Sequence, residues 1–187
     1  YFEAKKKLFT NLKKEGVAVL NADDAYVDQL ADATEASVVT YGIDNHATYQ
    51  AENIRIEKTG SRFTLVHGTE RYEVSTNLVA LYNIYNLLGA VAAMAESGIP
   101  IEQQLPYLHD IRQIEGRMER IDEGQLFNVI VDFAHTPDGM EKVLNNAKDI
   151  TEVRTTALLP CLALPEQETK KRRSSAKSRA VIATASF

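Results

Sequence analysis

The chain has 187 residues, of which 44% are hydrophobic and 25% are charged, and its formal net charge is −5. This composition excludes a collagen-like, mucin-like or strongly disordered protein, and the acidic balance argues against a bulk nucleic-acid-binding protein. A single cysteine, Cys161, allows no internal disulfide and favours a reducing cytoplasm. Because no apolar run is long enough to span a bilayer, we expect a soluble cytoplasmic protein without a membrane partner.

The charge is unevenly distributed along the chain. Residues 1–150 hold 14 basic and 23 acidic side chains, whereas residues 151–187 hold 7 and 3, and all nine glycines lie at or before Gly139. The chain also begins at Tyr1 rather than at Met, so we expect it to be a piece of a longer protein. The last 37 residues therefore differ in character from the first 150.

The first 115 residues alternate between helical and strand patterns. The sequence predicts helices at 2–14, 24–33, 82–96 and 101–110, and strands at 17–20 and 37–41. From residue 51 to 75 apolar side chains recur at every second position between two turn sequences, which predicts a small antiparallel meander. Strand, helix and strand in succession are typical of a parallel α/β sheet.

A second part of the chain begins near Gly116. The sequence there predicts strands at 118–121 and 127–133 and a helix at 137–150 with Pro137 in its first turn. We place the domain boundary between residues 115 and 116.

Lys5 is the first candidate functional residue. It shares the predicted apolar stripe of the first helix with Phe2 and Phe9. Three consecutive lysines usually form a solvated face, but a lysine on a buried stripe must be paired, neutralised or modified.

Asn83, Asn86 and Arg117 form the next group of candidates. The two asparagines lie one turn apart at the start of a predicted helix. Asn83 is expected to cap this helix, although the pair can also present amide groups to a ligand. Arg117 is either an ordinary surface charge or a phosphate contact, since a guanidinium matches two phosphate oxygens.

A predicted strand ends at Asp132, the turn after it carries His135, and Pro137 then opens a helix, at a position where α/β proteins often bind ligands. The aspartate can accept hydrogen bonds from ribose hydroxyls, and the histidine can contact phosphate. In the alternative interpretation, both side chains only cap the turn.

These segments resemble the Mur ligase family, most closely its MurE type. The resemblance covers about residues 1–150. Its motifs are Tyr-x-x-Ala-Lys-x-x-Leu-Phe at 1–9, Leu-Asn-Ala-Asp-Asp at 20–24, Asn-x-x-Asn at 83–86, Gly-Arg-Met-Glu at 116–119 and Val-Asp-Phe-Ala-His-Thr-Pro-Asp at 131–138. The last two are the most specific.

The resemblance implies an α/β fold in two parts. Residues 1–115 would form the C-terminal half of the central ATPase domain, a parallel sheet with helices plus a small antiparallel meander. Residues 116–150 would begin a Rossmann-like C-terminal domain.

The implied activity is that of an ATP-dependent acid–amino-acid ligase of peptidoglycan precursor synthesis. Such an enzyme adds meso-diaminopimelate or L-lysine to UDP-MurNAc-L-Ala-D-Glu through an acyl phosphate, with ATP and Mg²⁺ as cofactors. By resemblance we expect a cytoplasmic monomer that does not bind nucleic acid.

The resemblance also implies roles for the candidate residues. Lys5 would be carbamylated and would bind Mg²⁺, because a carbamate supplies the oxygen ligands that this cation prefers. Asn83 and Asn86 would face the adenine of ATP. Arg117 and Asp132 would hold its ribose and phosphates, with His135 beside them.

The chain departs from the family pattern in three respects. Ala80 and Tyr82 stand where the family usually has glycine and phenylalanine. The phosphate-binding Gly-x-x-Gly-Lys-Thr-Thr loop and the Asp-Asn-Pro-Arg motif do not occur in the chain. We therefore expect the isolated chain to be inactive.

Residues 151–187 form a basic, glycine-free tail where the family has a strand and a glycine-rich turn. We interpret this tail as translated out of frame or disordered. Codons for residues 162–171 can be chosen whose shifted frame reads Gly-Ala-Ala-Gly-Thr-Gly-Asp-Lys-Lys, and the coding DNA tests this interpretation.

Two alternative functions are weighed against a MurE-type ligase. One is another ligase of the family, a cyanophycin synthetase or a folylpolyglutamate synthetase. The other is a non-catalytic α/β binding module with a basic tail.

Overall fold

The computed structural model describes residues 2–57, 59–111, 114–125, 127–134, 137–149, 161–162 and 180–185. The chain divides into two compact units, Tyr1–Ile111 and Arg112–Phe187. The domain boundary predicted between residues 115 and 116 stays a prediction. Most of the predicted tail lies outside the described residues.

The elements of the first unit follow the predicted order. They are α1 (Phe2–Thr10), β1 (Val17–Asn21), α2 (Val27–Ala31), β2 (Ser37–Gly42), β3 (Tyr49–Glu57), β4 (Gly60–His67), β5 (Glu70–Thr76), α3 (Leu81–Glu96) and α4 (Ile101–Asp110). The prediction of an α/β protein is thus confirmed.

The five strands form one sheet in the order β1-β2-β3-β4-β5. The pairs β1–β2 and β2–β3 are parallel, whereas β3–β4 and β4–β5 are antiparallel. The meander predicted between residues 51 and 75 is therefore a continuation of the parallel sheet. Because β1 and β2 are parallel, their carboxyl ends lie side by side at one edge of the sheet, where parallel sheets commonly bind ligands.

The hydrophobic core of this unit lies between the sheet and helices α3 and α4. Its fully buried members are Tyr49, Ala51, Phe63, Leu65, Val74, Leu78, Ile84, Leu87, Leu88, Val91, Ala92, Ile101 and Leu108. Alternating positions on the strands and positions three or four apart on α3 supply these side chains, which is the pattern of one buried face per element. The core holds α3 in place, and α3 carries the two candidate asparagines.

The first two helices are shorter than predicted. Helix α1 ends at Thr10 rather than at residue 14, and a turn in which the Gly16 amide donates to the Lys13 carbonyl follows it. Helix α2 begins at Val27 because the Asp24 carboxylate accepts a hydrogen bond from the Tyr26 amide, which forms a separate turn ahead of the helix.

The second unit contains β6 (Glu119–Ile121), β7 (Phe127–Asp132), α5 (Pro137–Asp149), β8 (Cys161–Leu162) and β9 (Ala180–Ala185). Its strands are ordered β6-β7-β9-β8 and pair antiparallel at each step. The positions of β6, β7 and α5 agree with prediction to within one or two residues. Among the described residues of the chain, no helix is long and apolar enough to cross a bilayer.

Candidate functional site

Lys5 lies on α1, and its side chain is exposed. None of the residues of α1 is buried, and Phe2 and Phe9 are only half-buried. The expectation that Lys5 belongs to a buried apolar stripe is therefore wrong, because α1 packs against α2 rather than into the core. Burial thus supplies no reason for a modified lysine at this position.

Lys5 borders a cavity of about 400 Å³ between α1, α2 and the sheet. Asn21 and Tyr41, which stand at or near the carboxyl ends of β1 and β2, line this cavity together with Asp24. The remaining wall is formed by aromatic and aliphatic side chains, of which Phe2 packs against Tyr26 with a centroid distance of 4.6 Å and a tilt of 33° between the rings. The cavity therefore joins an apolar wall to a polar rim.

Tyr41 connects the surroundings of Lys5 to helix α3. Burial raises the pKa of the Tyr41 hydroxyl, the Asp24 carboxylate raises it further, and the Lys5 ammonium acts in the opposite direction. The Tyr41 ring also packs closely over Gly89 of α3, where an added Cβ would lie 3.2 Å from the ring. A side chain at position 89 would push the ring and the helix apart.

Asp23 is the most highly connected polar side chain at this edge of the sheet. Its carboxylate accepts hydrogen bonds from the backbone amides of Ile43 (2.7 Å), Asp44 (3.1 Å) and Asn45 (2.7 Å). It thereby ties the turn after β1 to the turn after β2. The sequence pointed to Asp23 only as part of the Leu20–Asp24 motif, because its partners lie 20 to 22 residues away.

The hydroxyl of Tyr85 on α3 donates a fourth hydrogen bond to Asp23, at 2.8 Å. Partial burial alone would raise the pKa of this carboxyl, but the hydrogen bonds from Ile43, Asn45, Tyr85 and Asp44 lower it to about 2. Burial and the neighbouring Asp23 carboxylate in turn raise the pKa of Tyr85. Asp23 is thus a fixed negative charge that holds two turns and a helix together.

Asn83 and Asn86 lie in the first two turns of α3 and contact each other. We expected Asn83 to cap α3, but the helix begins at Leu81, so Asn83 lies inside it and does not cap it. The side-chain Nδ2 of Asn83 donates a hydrogen bond to the Val79 carbonyl (2.6 Å), and its Oδ1 accepts a hydrogen bond from Nδ2 of Asn86 (3.3 Å). Asn83 is 1% exposed, whereas Asn86 is exposed, so Asn86 is the one open to a ligand.

Ala80 precedes α3 in a backbone conformation that favours glycine. Its φ is +84° and its ψ is 143°, and the residue is 1% exposed. Non-glycine residues rarely adopt this region and are strained there. The conformation gives a physical reason for the glycine that the family usually has at this position.

Arg117 lies in a turn of the second unit that is fixed by four hydrogen bonds. The Arg117 amide donates to the Ile114 carbonyl, and the Gly116 carbonyl accepts from the Phe133 amide, each at 2.9 Å. The Gly116 amide donates to the Glu119 carboxylate at 2.8 Å. The fourth bond runs from the Met118 amide to Asp132, at 2.9 Å. The Arg117 side chain itself is exposed.

Asp132 ends β7 and is 2% exposed. One carboxylate oxygen accepts from the Met118 amide and the other from the Ala134 amide, at 2.9 and 2.8 Å. Asp132 therefore joins the Arg117 turn to the turn after β7. His135 lies outside the described residues.

A magnesium site at Lys5 depends on modification of the lysine. Within the described part of the chain, no group of three or more His, Cys, Asp and Glu side chains is arranged to hold a metal ion. An unmodified ammonium repels a cation, whereas a carbamate on the exposed Lys5 amine would offer oxygen ligands of the kind that Mg²⁺ binds. The residues present fit Mg²⁺ only in that form.

Comparison with known proteins gives the same assignment for both units. The model of the Mur ligase middle domain matches residues 1–94, and that of the Mur ligase, glutamate ligase domain matches residues 116–185. A UDP-N-acetylmuramoyl-L-alanyl-D-glutamate--2,6-diaminopimelate ligase from Halalkalibacterium halodurans is 43% identical over 145 residues, which cover 78% of this chain and 30% of the relative.

Solved structures show the same fold. One of a UDP-N-acetylmuramoyl-L-alanyl-D-glutamate--2,6-diaminopimelate ligase has a TM-score of 0.64 and 30% identity, covering 79% of this chain and 31% of the other. MurF ligase from Thermotoga maritima in complex with ADP has a TM-score of 0.66 and 11% identity, and the match covers 78% of this chain and 33% of the MurF chain. The chain thus spans about a third of the length of the relatives that it matches. With both family models matched in order, the chain belongs to the Mur ligase family.

Proposed function

We propose that the chain is part of an ATP-dependent amide ligase of the MurE type. The whole protein would add the third stem amino acid to UDP-MurNAc-L-Ala-D-Glu in the cytoplasm. The observation that carries the proposal is the 43% identity to a ligase named for 2,6-diaminopimelate. This name favours meso-diaminopimelate over L-lysine as the amino acid added.

In the proposed reaction, the carboxylate of the dipeptide attacks the γ-phosphate of ATP, which gives an acyl phosphate and ADP. The amine of the incoming amino acid then attacks the acyl carbon, and inorganic phosphate leaves. Both steps move negative charge, so they require cationic groups near the phosphates. Mg²⁺ would supply part of this charge when it is bound.

Residues of each unit have separate parts in this proposal. Lys5, as a carbamate, would hold Mg²⁺. Asn86 would contact the adenine, and buried Asn83 would orient it through their hydrogen bond. The exposed Arg117 would bind phosphate, and Asp132 would bind ribose or hold the Arg117 turn. A role for His135 beside the phosphates stays a prediction.

The complete protein encoded by the reading frame that contains this chain provides the test. We expect ADP release that requires both UDP-MurNAc-L-Ala-D-Glu and meso-diaminopimelate, with L-lysine as the comparison. Lys5→Ala should lose this activity by at least about a hundredfold. Lys7→Ala is the matched control, because Lys7 is an exposed lysine of the same helix.

The carbamate has a direct readout. Growth of a ¹³C signal at a carbamate shift after addition of ¹³C-bicarbonate is expected in the original protein and not in Lys5→Ala. ADP release that is independent of the dipeptide would contradict the proposed reaction. Equal activity of Lys5→Ala and Lys7→Ala would contradict the role of the lysine.

A further inference from the structure

Glu119 stands two residues beyond the exposed Arg117 and closes the turn that carries it. Its carboxylate accepts the hydrogen bond from the Gly116 amide, at 2.8 Å. Glu119 is also the first residue of β6, where it is paired with Val131 of β7. The side chain thus connects the start of the turn to a strand of the sheet.

The rest of the turn leaves Arg117 little freedom at its backbone. Gly116 has a φ of +70°, and a Cβ at this position would overlap the Phe133 ring. Met118 is 5% exposed and also has a positive φ, of 47°. Non-glycine residues keep such a conformation only when their surroundings enforce it. Between the buried Gly116 and Met118, the Arg117 side chain is exposed, so the turn presents a cationic group to solvent.

We propose that Glu119 is a positioning residue for Arg117, and that its hydrogen bond to Gly116 orients the guanidinium for a polyphosphate such as that of a nucleoside triphosphate. The inference rests on the proposed function, because it takes Arg117 as a phosphate contact. The charge of Glu119 opposes anion binding at a neighbouring residue, since like charges repel. Its contribution must therefore come from geometry.

Two substitutions of Glu119 separate the effect of its charge from the effect of its hydrogen bond. Glu119→Ala and Glu119→Gln remove the same negative charge, but only glutamine keeps an acceptor for the Gly116 amide. Electrostatics alone predicts that both variants bind a polyphosphate more tightly. Positioning predicts that Glu119→Ala binds about fivefold more weakly, because a misplaced guanidinium loses its bidentate geometry, whereas Glu119→Gln binds at least as tightly as the original chain.

The experiment titrates inorganic tripolyphosphate into the full, ¹⁵N-labelled chain and follows the Nε–Hε resonance of Arg117, which Arg117→Lys identifies by its loss. Glu123→Ala is the charge control, because Glu123 is an exposed glutamate just after β6. Hydrogen exchange at the Gly116 amide should accelerate in Glu119→Ala but not in Glu119→Gln. Glu119→Asp, which keeps the charge on a shorter side chain, should also bind tripolyphosphate more weakly. It replaces Glu119→Ala as the test if the alanine variant does not fold.

The outcomes distinguish the two hypotheses. Equal affinity of Glu119→Ala and Glu119→Gln, or of Glu119→Asp and the original chain, would overturn the positioning role while leaving Arg117 as a phosphate contact. A titration in which the Arg117 resonance of the original chain does not respond would overturn both the phosphate contact and this inference.

Discussion

Asp23→Asn tests whether the carboxylate at the ends of β1 and β2 stabilises the first unit. The charged group accepts three backbone amides and the Tyr85 hydroxyl. Asparagine has the same shape, but it is neutral and turns an amide group toward these donors. We therefore expect Asp23→Asn to lower the free energy of unfolding at neutral pH.

The magnitude follows from the pKa of the carboxyl. Its fall from 3.8 to about 2 on folding corresponds to about 2.4 kcal/mol at pH 7. Because Asp23 is only partly buried, solvent screening reduces this to about 1–2 kcal/mol. The folded pKa is the lower one, so the stabilisation is complete above about pH 5 and is lost as the pH falls through 2.

Urea denaturation at pH 7 and pH 3, followed by far-ultraviolet circular dichroism, measures the effect. The chain contains no tryptophan, so tyrosine fluorescence is the second probe. The difference between the original chain and Asp23→Asn should be about 1–2 kcal/mol at pH 7 and about half of that at pH 3. The amides of Ile43 and Asn45 should also exchange faster in the variant.

Asp28→Asn is the control, because Asp28 is an exposed aspartate on α2 and its substitution should change stability by less than about 0.5 kcal/mol. Equal stability of Asp23→Asn and Asp28→Asn at pH 7 would refute the reasoning. If the stability difference between the original chain and Asp23→Asn is as large at pH 3 as at pH 7, the carboxylate charge is not its source.

Three further substitutions test the packing and the turns. Tyr85→Phe removes the hydroxyl that donates to Asp23; we expect a loss of about 1 kcal/mol in urea denaturation and a higher Asp23 pKa by ¹³C carboxyl titration. Gly116→Ala places a Cβ against the Phe133 ring at a positive φ; we expect more than about 2 kcal/mol of destabilisation and loss of the native β6–β7 amide resonances. Leu88→Ala empties a site that is 1% exposed; we expect a loss of about 2–5 kcal/mol, and a smaller value would mean that the core collapses around the cavity.

Local patterns in the sequence predicted most of the helices and strands. Helix α4 follows its predicted range and the meander lies where it was predicted, because apolar periodicity reports which face of an element is buried. The predicted end of α1 and the predicted start of α2 were wrong, since a hydrogen-bonded turn at residues 13–16 follows α1 and the Asp24 side chain forms a separate turn ahead of α2. Such bonds compete with helix formation and are not visible in periodicity.

For the candidate site residues too, the sequence supplied the positions and the structure supplied their burial. Motif spacing selected Lys5, Asn83, Asn86, Arg117, Asp132 and His135. Only the structure separated exposed Asn86 from buried Asn83 and showed that Lys5 is not buried. Burial depends on which elements pack together, and α1 packs on α2 rather than on the core.

The sequence by itself determined the α/β class, the order of the elements and the motifs that resemble Mur ligases. These properties depend on residues close together in the chain. Tertiary structure decided that Asp23 joins two turns and α3 and that Asp132 holds the turn around Arg117. Most of these contacts link residues that are far apart in the chain, and strand pairing and packing bring such residues together.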